Sequence, residues 1–227
     1  MSEEKKHDTS PAMDSAAHMV CDASGDERLK RQLDFILEID KEKNILRQTH
    51  LSGHGRREDD AEHAWHMAVA AYLLREYSNE RIDIGHVLIM CLIHDIVEID
   101  AGDTYAYDYE AQKTVKERER KAADHLYGLL PGDQRQYLRE IWEEFEAYET
   151  PESRFAHVLD NFQPFLLNAE SDGKSWKEHG ASDANIYTRN PKTAETAPEI
   201  WACMQEKIRS AIERGILVHE DKATGKK

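Results

Sequence analysis

The chain has 227 residues, 33% of them charged, and a formal net charge of −15. That length supports one well-buried domain. So negative a surface excludes a nucleic-acid polymer as the natural partner, while leaving room for a small anion met by a cation or a few arginines.

Residues 1–25 are polar and aperiodic, which predicts a disordered tail ahead of a domain over 26–217, with a flexible tail over 218–227. Helical periodicity begins at Asp26, where Leu29, Leu33, Ile36, Leu37 and Ile39 make an apolar stripe that ends at Asp40. Residues 47–59, with Gly53 and Gly55, read as a loop in which His50 and His54 face solvent. Asp59 or Asp60 caps a helix over about 60–77, rich in Ala, Leu and Met, with Trp65 in the core. Asp83 opens an apolar helix that carries His94 and is broken at Gly102. Tyr105, Tyr107 and Tyr109 then form a local packing cluster, and a charged helix over about 108–129 presents Lys116–Lys121 as a solvated face.

Leu138, Ile141, Trp142 and Phe145 have helical spacing within 133–148. Thr150 and Pro151 start the next helix as cap and first residue, with Phe155, Val158, Leu159 and Phe162 on one side. Residues 169–193 read as polar loop, and Pro198 opens a last helix to about Glu213, stopped by Gly215. No repeat and no strand pair is legible, so the fold class is all-α. The N-terminus lacks a signal-peptide pattern, and the longest apolar run is far short of the roughly 20 residues that span a bilayer. Cys21, Cys91 and Cys203 are scattered without a CxxC, which suits a reducing cytoplasm.

The most informative stretch is Val-Leu-Ile-Met-Cys-Leu-Ile at 87–93, followed by His94 and Asp95 and then Ile96 and Val97. Two ionisable groups inside an apolar helix are costly unless paired, hydrogen-bonded or bound to a metal. His63 and Asp160 stand in similar apolar surroundings, giving four candidate ligands on three predicted helices. Two imidazoles and two carboxylates suit Mn, Fe, Co or Zn, and suit Mg less because of its reluctance toward nitrogen. Pro164, four residues after Asp160, cannot donate to the Asp160 carbonyl and predicts a bend beside that acid. His66, one turn after His63, reads as a packed residue or one that supports a ligand.

The ordered set Glu62-His63, His94-Asp95 with Glu98 and Gly102-Asp103, then a lone Asp160, resembles the HD-domain metal-dependent phosphohydrolases. Arg-Arg-Glu-Asp-Asp-Ala-Glu-His (56–63), His-Asp-Ile-Val-Glu-Ile-Asp-Ala-Gly-Asp (94–103) and Ile-Trp-Glu-Glu-Phe-Glu (141–146) resemble the branch that contains the 5′-deoxynucleotidases. The resemblance runs over roughly residues 30–217. It implies a single-domain helical HD fold around a central divalent ion, with His63, His94, Asp95 and Asp160 as ligands. It also implies Glu98, one turn on along the same helix side, and Asp103 as the acids that handle protons. Arg56, with Arg57 as its rival, becomes the phosphate contact. The implied reaction removes phosphate from (deoxy)nucleoside 5′-monophosphates by attack of a metal-activated water, in a cytoplasmic homodimer. The family's nucleotide-reading arginine–tryptophan pair is not matched, since Arg47-Gln48-Thr49 lies near that place. Two rival readings are hydrolysis of a phosphodiester or pyrophosphate in another nucleotide, and a non-catalytic metal-stabilised scaffold. The presence of Glu98 and Asp103 speaks against the scaffold, which needs only ligands.

Overall fold

The computed structural model describes residues 25–102 and 112–220. Residues 1–24, the 103–111 segment and 221–227 lie outside that description, and with them Asp103, Tyr105, Tyr107, Tyr109 and nearly all of the expected N-terminal tail.

Several of the helices begin at a side chain that satisfies the free N–H groups of the first turn. Asp26 accepts from the Arg28 and Leu29 amides and opens α1 (Glu27–Ile39). Asp59 and Glu62 form a reciprocal capping box at the start of α2 (Asp60–Leu74). Asp83 accepts from Gly85 and His86 and opens α3 (Ile84–Ile93). The short α4 (Glu98–Ala101) ends at Gly102, whose φ of 74° only glycine adopts freely. Next come α5 (Gln112–Leu126) and α6 (Gly132–Ala147). Thr150 caps α7 (Pro151–Glu170), with Pro151 where its missing N–H costs nothing. Three short helices follow, α8 (Lys174–His179), α9 (Asp183–Arg189) and α10 (Thr193–Thr196), and then α11 (Pro198–Glu213).

The core is one cluster. α2 packs along α3, and α7 lies against both, so that Met67 and Ala71, Val87 and Met90, and Phe155, Val158 and Leu159 are all fully buried. Each large apolar side chain removed from water contributes about 2 kcal/mol, which makes α7 the axis of the molecule. At one end, the Arg31 guanidinium donates to the carbonyls of Gly128, Leu129 and Leu130, tying α1 to the turn after α5.

The structure departs from the sequence expectations at several elements. Within residues 46–59 there is a small antiparallel pair, β1 (Leu46–His50) with β2 (Arg57–Asp59), joined by a tight turn in which Gly53 has φ 70°. These strands are too short and polar to show alternation. His50 is not at the surface: it is 9% exposed, with Nδ1 at 3.1 Å from the Gly55 carbonyl and Nε2 at 3.0 Å from Glu178. The 169–193 stretch holds two short helices, α8 and α9, anchored by buried Trp176 and Ile186. On α1, Phe35 is the buried residue, while Leu29, Ile36 and Leu37 are exposed. Trp65 is 64% exposed, outside the core where the sequence put it. Val218 and Glu220, at the start of the expected C-terminal tail, are tied to α9: the Asp183 amide donates to the Val218 carbonyl and the Glu220 amide donates to the Asp183 carboxylate.

Candidate metal centre

α3 stops at Ile93, so His94 and Asp95 sit in the turn between α3 and α4 and not inside a continuous helix to Gly102. Glu98 therefore begins a separate short helix and shares no regular face with them. α3 packs against α7, and the turn at the end of α3 brings His94 up to Asp160. α2 brings His63 in from the third side.

Nitrogen or oxygen atoms of His63, His94 and Asp160 all lie within 4.8 Å of one another, and both imidazoles are buried. His63 Nε2 is 3.1 Å from Asp160 Oδ1, and His94 Nε2 is 3.8 Å from the same oxygen. Asp95 comes to the rim: its Oδ2 is 3.1 Å from His94 Nε2 and accepts a 2.7 Å bond from Arg47.

The far nitrogen of each ring settles what the near one can do. A carbonyl oxygen only accepts, so His94 Nδ1 carries a proton and donates to the Cys91 carbonyl at 2.9 Å. The Gln163 amide donates through Nε2 to Glu58 at 2.6 Å, with His66 Nδ1 2.9 Å away, which leaves its oxygen to accept from His63 Nδ1 at 2.9 Å. In the neutral rings both Nε2 atoms then present lone pairs, and what they face is carboxylate oxygen. His94 Nε2 is buried and makes no hydrogen bond. Acceptors gathered against acceptors in a dry interior require a cation between them. The donor set therefore fits a divalent ion bound through two imidazoles and carboxylate.

The charges around the cluster agree. Burial opposes a charged His94, yet Asp95 and Asp160 hold that ring well above the ordinary imidazole pKa. Burial and the nearby Arg47 push His63 the other way. Against burial, His94 and Arg47 keep Asp95 below the usual carboxylate range, and the two histidines do the same for Asp160. In the absence of a metal, a proton on His94 supplies part of the positive charge that the cluster demands.

Arg47, on β1, stands at the rim of the cluster, a place the sequence reading gave it only in outline. Its side chain is 15% exposed, with Nη1 2.7 Å from Asp95 and 3.2 Å from the fully buried Asp60, and Nη2 3.9 Å from Asp160. Burial opposes its charge, but four surrounding carboxylates, Asp95, Asp160, Asp60 and Glu98, raise its pKa. Arg56, by contrast, is turned away, with its guanidinium on Glu62 at 2.8 Å and its side chain 58% exposed. Arg57 lies in β2 opposite His50. Glu98 is half-buried and close enough for its charge to act on Arg47. Asp103 lies outside the described residues. Gln163 and Glu58, which fix the His63 tautomer, carry no sequence signal except that Gln163 lies three residues beyond Asp160. Phe145 closes one wall, its ring 4.9 Å from that of His94.

A family model described as the HD domain matches residues 39–201, spanning all of these groups. The chain belongs to the HD domain family. It is 30% identical over 160 residues to the human 5′-deoxynucleotidase HDDC2, covering 69% of this chain and 77% of that protein. It is 31% identical over 113 residues to the mouse protein of the same name, a match that spans 50% of this chain and 55% of its relative. A crystal structure of a predicted metal-dependent phosphohydrolase from Magnetospirillum magnetotacticum superposes with a TM-score of 0.80 at 48% identity, over 84% of this chain and 96% of that one. The HD fold is thus a single helical domain here as in that neighbour, with the small β1–β2 ribbon at its edge.

Proposed function

We propose that this HD-domain protein is a metal-dependent phosphohydrolase that releases phosphate from nucleoside 5′-monophosphates, deoxy forms first. The observation that carries it is the set of buried acceptors around Asp160, which needs a cation, next to a buried guanidinium, which can take phosphate oxygens. The 5′-deoxynucleotidase relatives supply the substrate class. His63, His94 and Asp160 would hold the ion, with Asp95 completing the set once its Oδ2 is shared with Arg47. The nitrogen-bearing donor set favours Mn, Co, Fe or Zn over Mg.

A divalent ion in that place supplies Lewis acidity, withdrawing charge from the phosphoryl group and making water easier to deprotonate. The chain's own residues do the rest. Arg47, which stands against Asp95 and 3.9 Å from Asp160, holds phosphate oxygens and neutralises the charge they gain, with Arg56 or Arg57 as further phosphate contacts. Glu98, on the rim beside Arg47, takes the proton of the attacking water, and Asp103 or Glu98 returns one to the leaving 5′-oxygen. Phe145 keeps bulk water from the imidazoles. The domain is taken as residues 26–217 and works as a homodimer in the cytoplasm. An exposed apolar stripe on α2 supports the dimer, and the free Cys91 and Cys203 support a reducing compartment. Among the described residues, no helix is long and apolar enough to cross a membrane.

Phosphate release measured with Mn or Co against the deoxy- and ribonucleoside 5′-monophosphates tests the reading. The expected result is metal-dependent release that is fastest from a deoxynucleotide. No metal-dependent release from any member of the panel would defeat the substrate assignment. Glu98→Ala should lower kcat at least 100-fold, in the range of lost proton transfer, while bound metal stays near wild type. Parallel loss of metal and turnover would favour a structural site instead.

A further inference from the structure

The two metal-facing rings are oriented by different means. His94 Nδ1 donates to the Cys91 carbonyl, an oxygen that can only accept, so the backbone sets its tautomer. His63 Nδ1 instead meets Gln163 Oε1 at 2.9 Å. A primary amide carries a donor and an acceptor of nearly the same shape, so Gln163 alone would serve either tautomer of His63. A group beyond Gln163 has to break that symmetry.

Glu58 has the polarity to do so. It is the middle residue of β2, on the inward side, and is 1% exposed. The Asp59 cap turns the chain directly from β2 into α2, which sets Glu58 and His63 in the same buried place. Gln163, 2% exposed and three residues after Asp160, reaches them from the same side of α7 as that acid. Glu58 Oε1 lies 2.6 Å from Gln163 Nε2, and a carboxylate only accepts. The amide must therefore turn its N–H groups to Glu58 and its oxygen to His63. His66 Nδ1, 2.9 Å from the same Nε2, takes the second N–H; an imidazole can exchange its tautomer, so His66 follows the amide and does not set it. Glu58 Oε2 stops 3.9 Å from His63 Nδ1, too far for a hydrogen bond, so Glu58 acts on that ring through the amide.

A reversed amide would donate from Gln163 Nε2 to His63 Nδ1 and move the ring proton to His63 Nε2. That nitrogen stands 3.1 Å from Asp160 Oδ1 and would donate to it, across the space an ion needs. The site would close on its own hydrogen bond. We infer that Glu58 is a positioning residue that holds the metal site open, acting through Gln163 to keep the His63 Nε2 lone pair available to a cation. This rests on the metal reading above and gives a role to a buried carboxylate that would otherwise be a pure cost.

Chelator-treated protein reads the tautomer, and Zn²⁺ titration against a competing chelator reads its consequence. Both are made at about pH 8.5, above the value of about 7 to which burial pushes the Glu58 carboxyl despite Arg47 and Gln163. Nitrogen-15 NMR should find the His63 proton on Nδ1 in the wild type. Glu58→Gln keeps the size but can donate to Gln163, which permits the reversed amide. In that variant the His63 proton should move to Nε2, and Zn²⁺ should bind about 10–100-fold more weakly. Combining Glu58→Gln with Gln163→Glu restores the order of donors and acceptors, because the new amide donates to the new carboxylate, which accepts from His63 Nδ1. The exchanged pair should return the proton to Nδ1 and Zn²⁺ affinity to within about threefold of wild type, whereas a purely structural role makes two substitutions worse than one. If Glu58→Gln alone does not fold, the exchanged pair still reads the relay. A wild-type proton on Nε2, a folded single variant that binds Zn²⁺ as tightly as wild type, or an exchanged pair that does not recover binding would each overturn the inference. A wild type with its proton on Nδ1 that binds no divalent ion would instead count against the metal reading and leave the relay standing.

Discussion

Glu42 sits in the 3-10 turn Asp40–Asn44, 7% exposed, with Oε1 lacking a hydrogen-bond partner. Burial, with Asp95 and Asp60 nearby, pushes its carboxyl up to about 8. The folded pKa is thus above the unfolded value near 4.5, so the contribution to stability is complete below pH 4.5 and is lost as pH rises through 8. At about 1.4 kcal/mol per pKa unit, that loss is roughly 5 kcal/mol. Urea unfolding of chelator-treated protein should show wild type and Glu42→Gln converging near pH 4.5, with the variant increasingly the more stable toward pH 8. Curves that stay parallel across this window would rule the effect out. The same residue shows what was hidden in the sequence. Glu42 lies among Asp40, Lys41 and Lys43 and reads as surface, and only the fold turns it inward. His63, His94 and Asp160 were legible because each interrupts an apolar run, whereas Arg47 and Gln163 have meaning only through the neighbours that tertiary structure gives them.

At the scale of elements, long helices announced themselves through caps and stripes, and α2, α6, α7 and α11 match their expected bounds to within about three residues, whereas α3 ends at Ile93, well before the expected break at Gly102. α8 and α9 did not, because six or seven residues give fewer than two turns, too few for a period. What holds α8 is its two glycines. Gly173 and Gly180 both have left-handed backbones, with φ of 64° and 60°. A Cβ on Gly180 would enter open space, whereas one on Gly173 would come within 2.4 Å of Ile216 and 3.1 Å of Trp176. Gly180→Ala should therefore cost only the left-handed backbone penalty of about 1 kcal/mol. Gly173→Ala adds overpacking of about 1–3 kcal/mol and displaces the helix that carries Ser175 and Trp176. Urea midpoints of the two variants measure the difference. Equal losses would mean that α8 is not clamped against the Ile216 strand-like tail.

At the scale of the molecule, one feature resists explanation in a monomer. Trp65, Val69, Tyr72 and Leu73 recur at helical spacing on α2 and are 64%, 42%, 52% and 62% exposed, on the flank opposite the buried Met67 and Ala71. Sequence could not separate this stripe from core, because α2 is apolar on nearly every side. Contiguous exposed apolar surface of this kind marks an interface. A chain with net charge −15 repels its own copy, so apolar contact must overcome long-range repulsion, and added salt screens that repulsion within about 10 Å at 0.1 M. Sedimentation velocity should accordingly find a dimer whose dissociation constant falls as NaCl rises from 20 to 300 mM, on the order of the screening range. Trp65→Lys combined with Leu73→Lys should yield a monomer of unchanged helicity, because both side chains point away from the core. A wild type that sediments as a monomer at every salt concentration, or a double variant that remains dimeric, would assign the stripe to something other than a second copy of the chain.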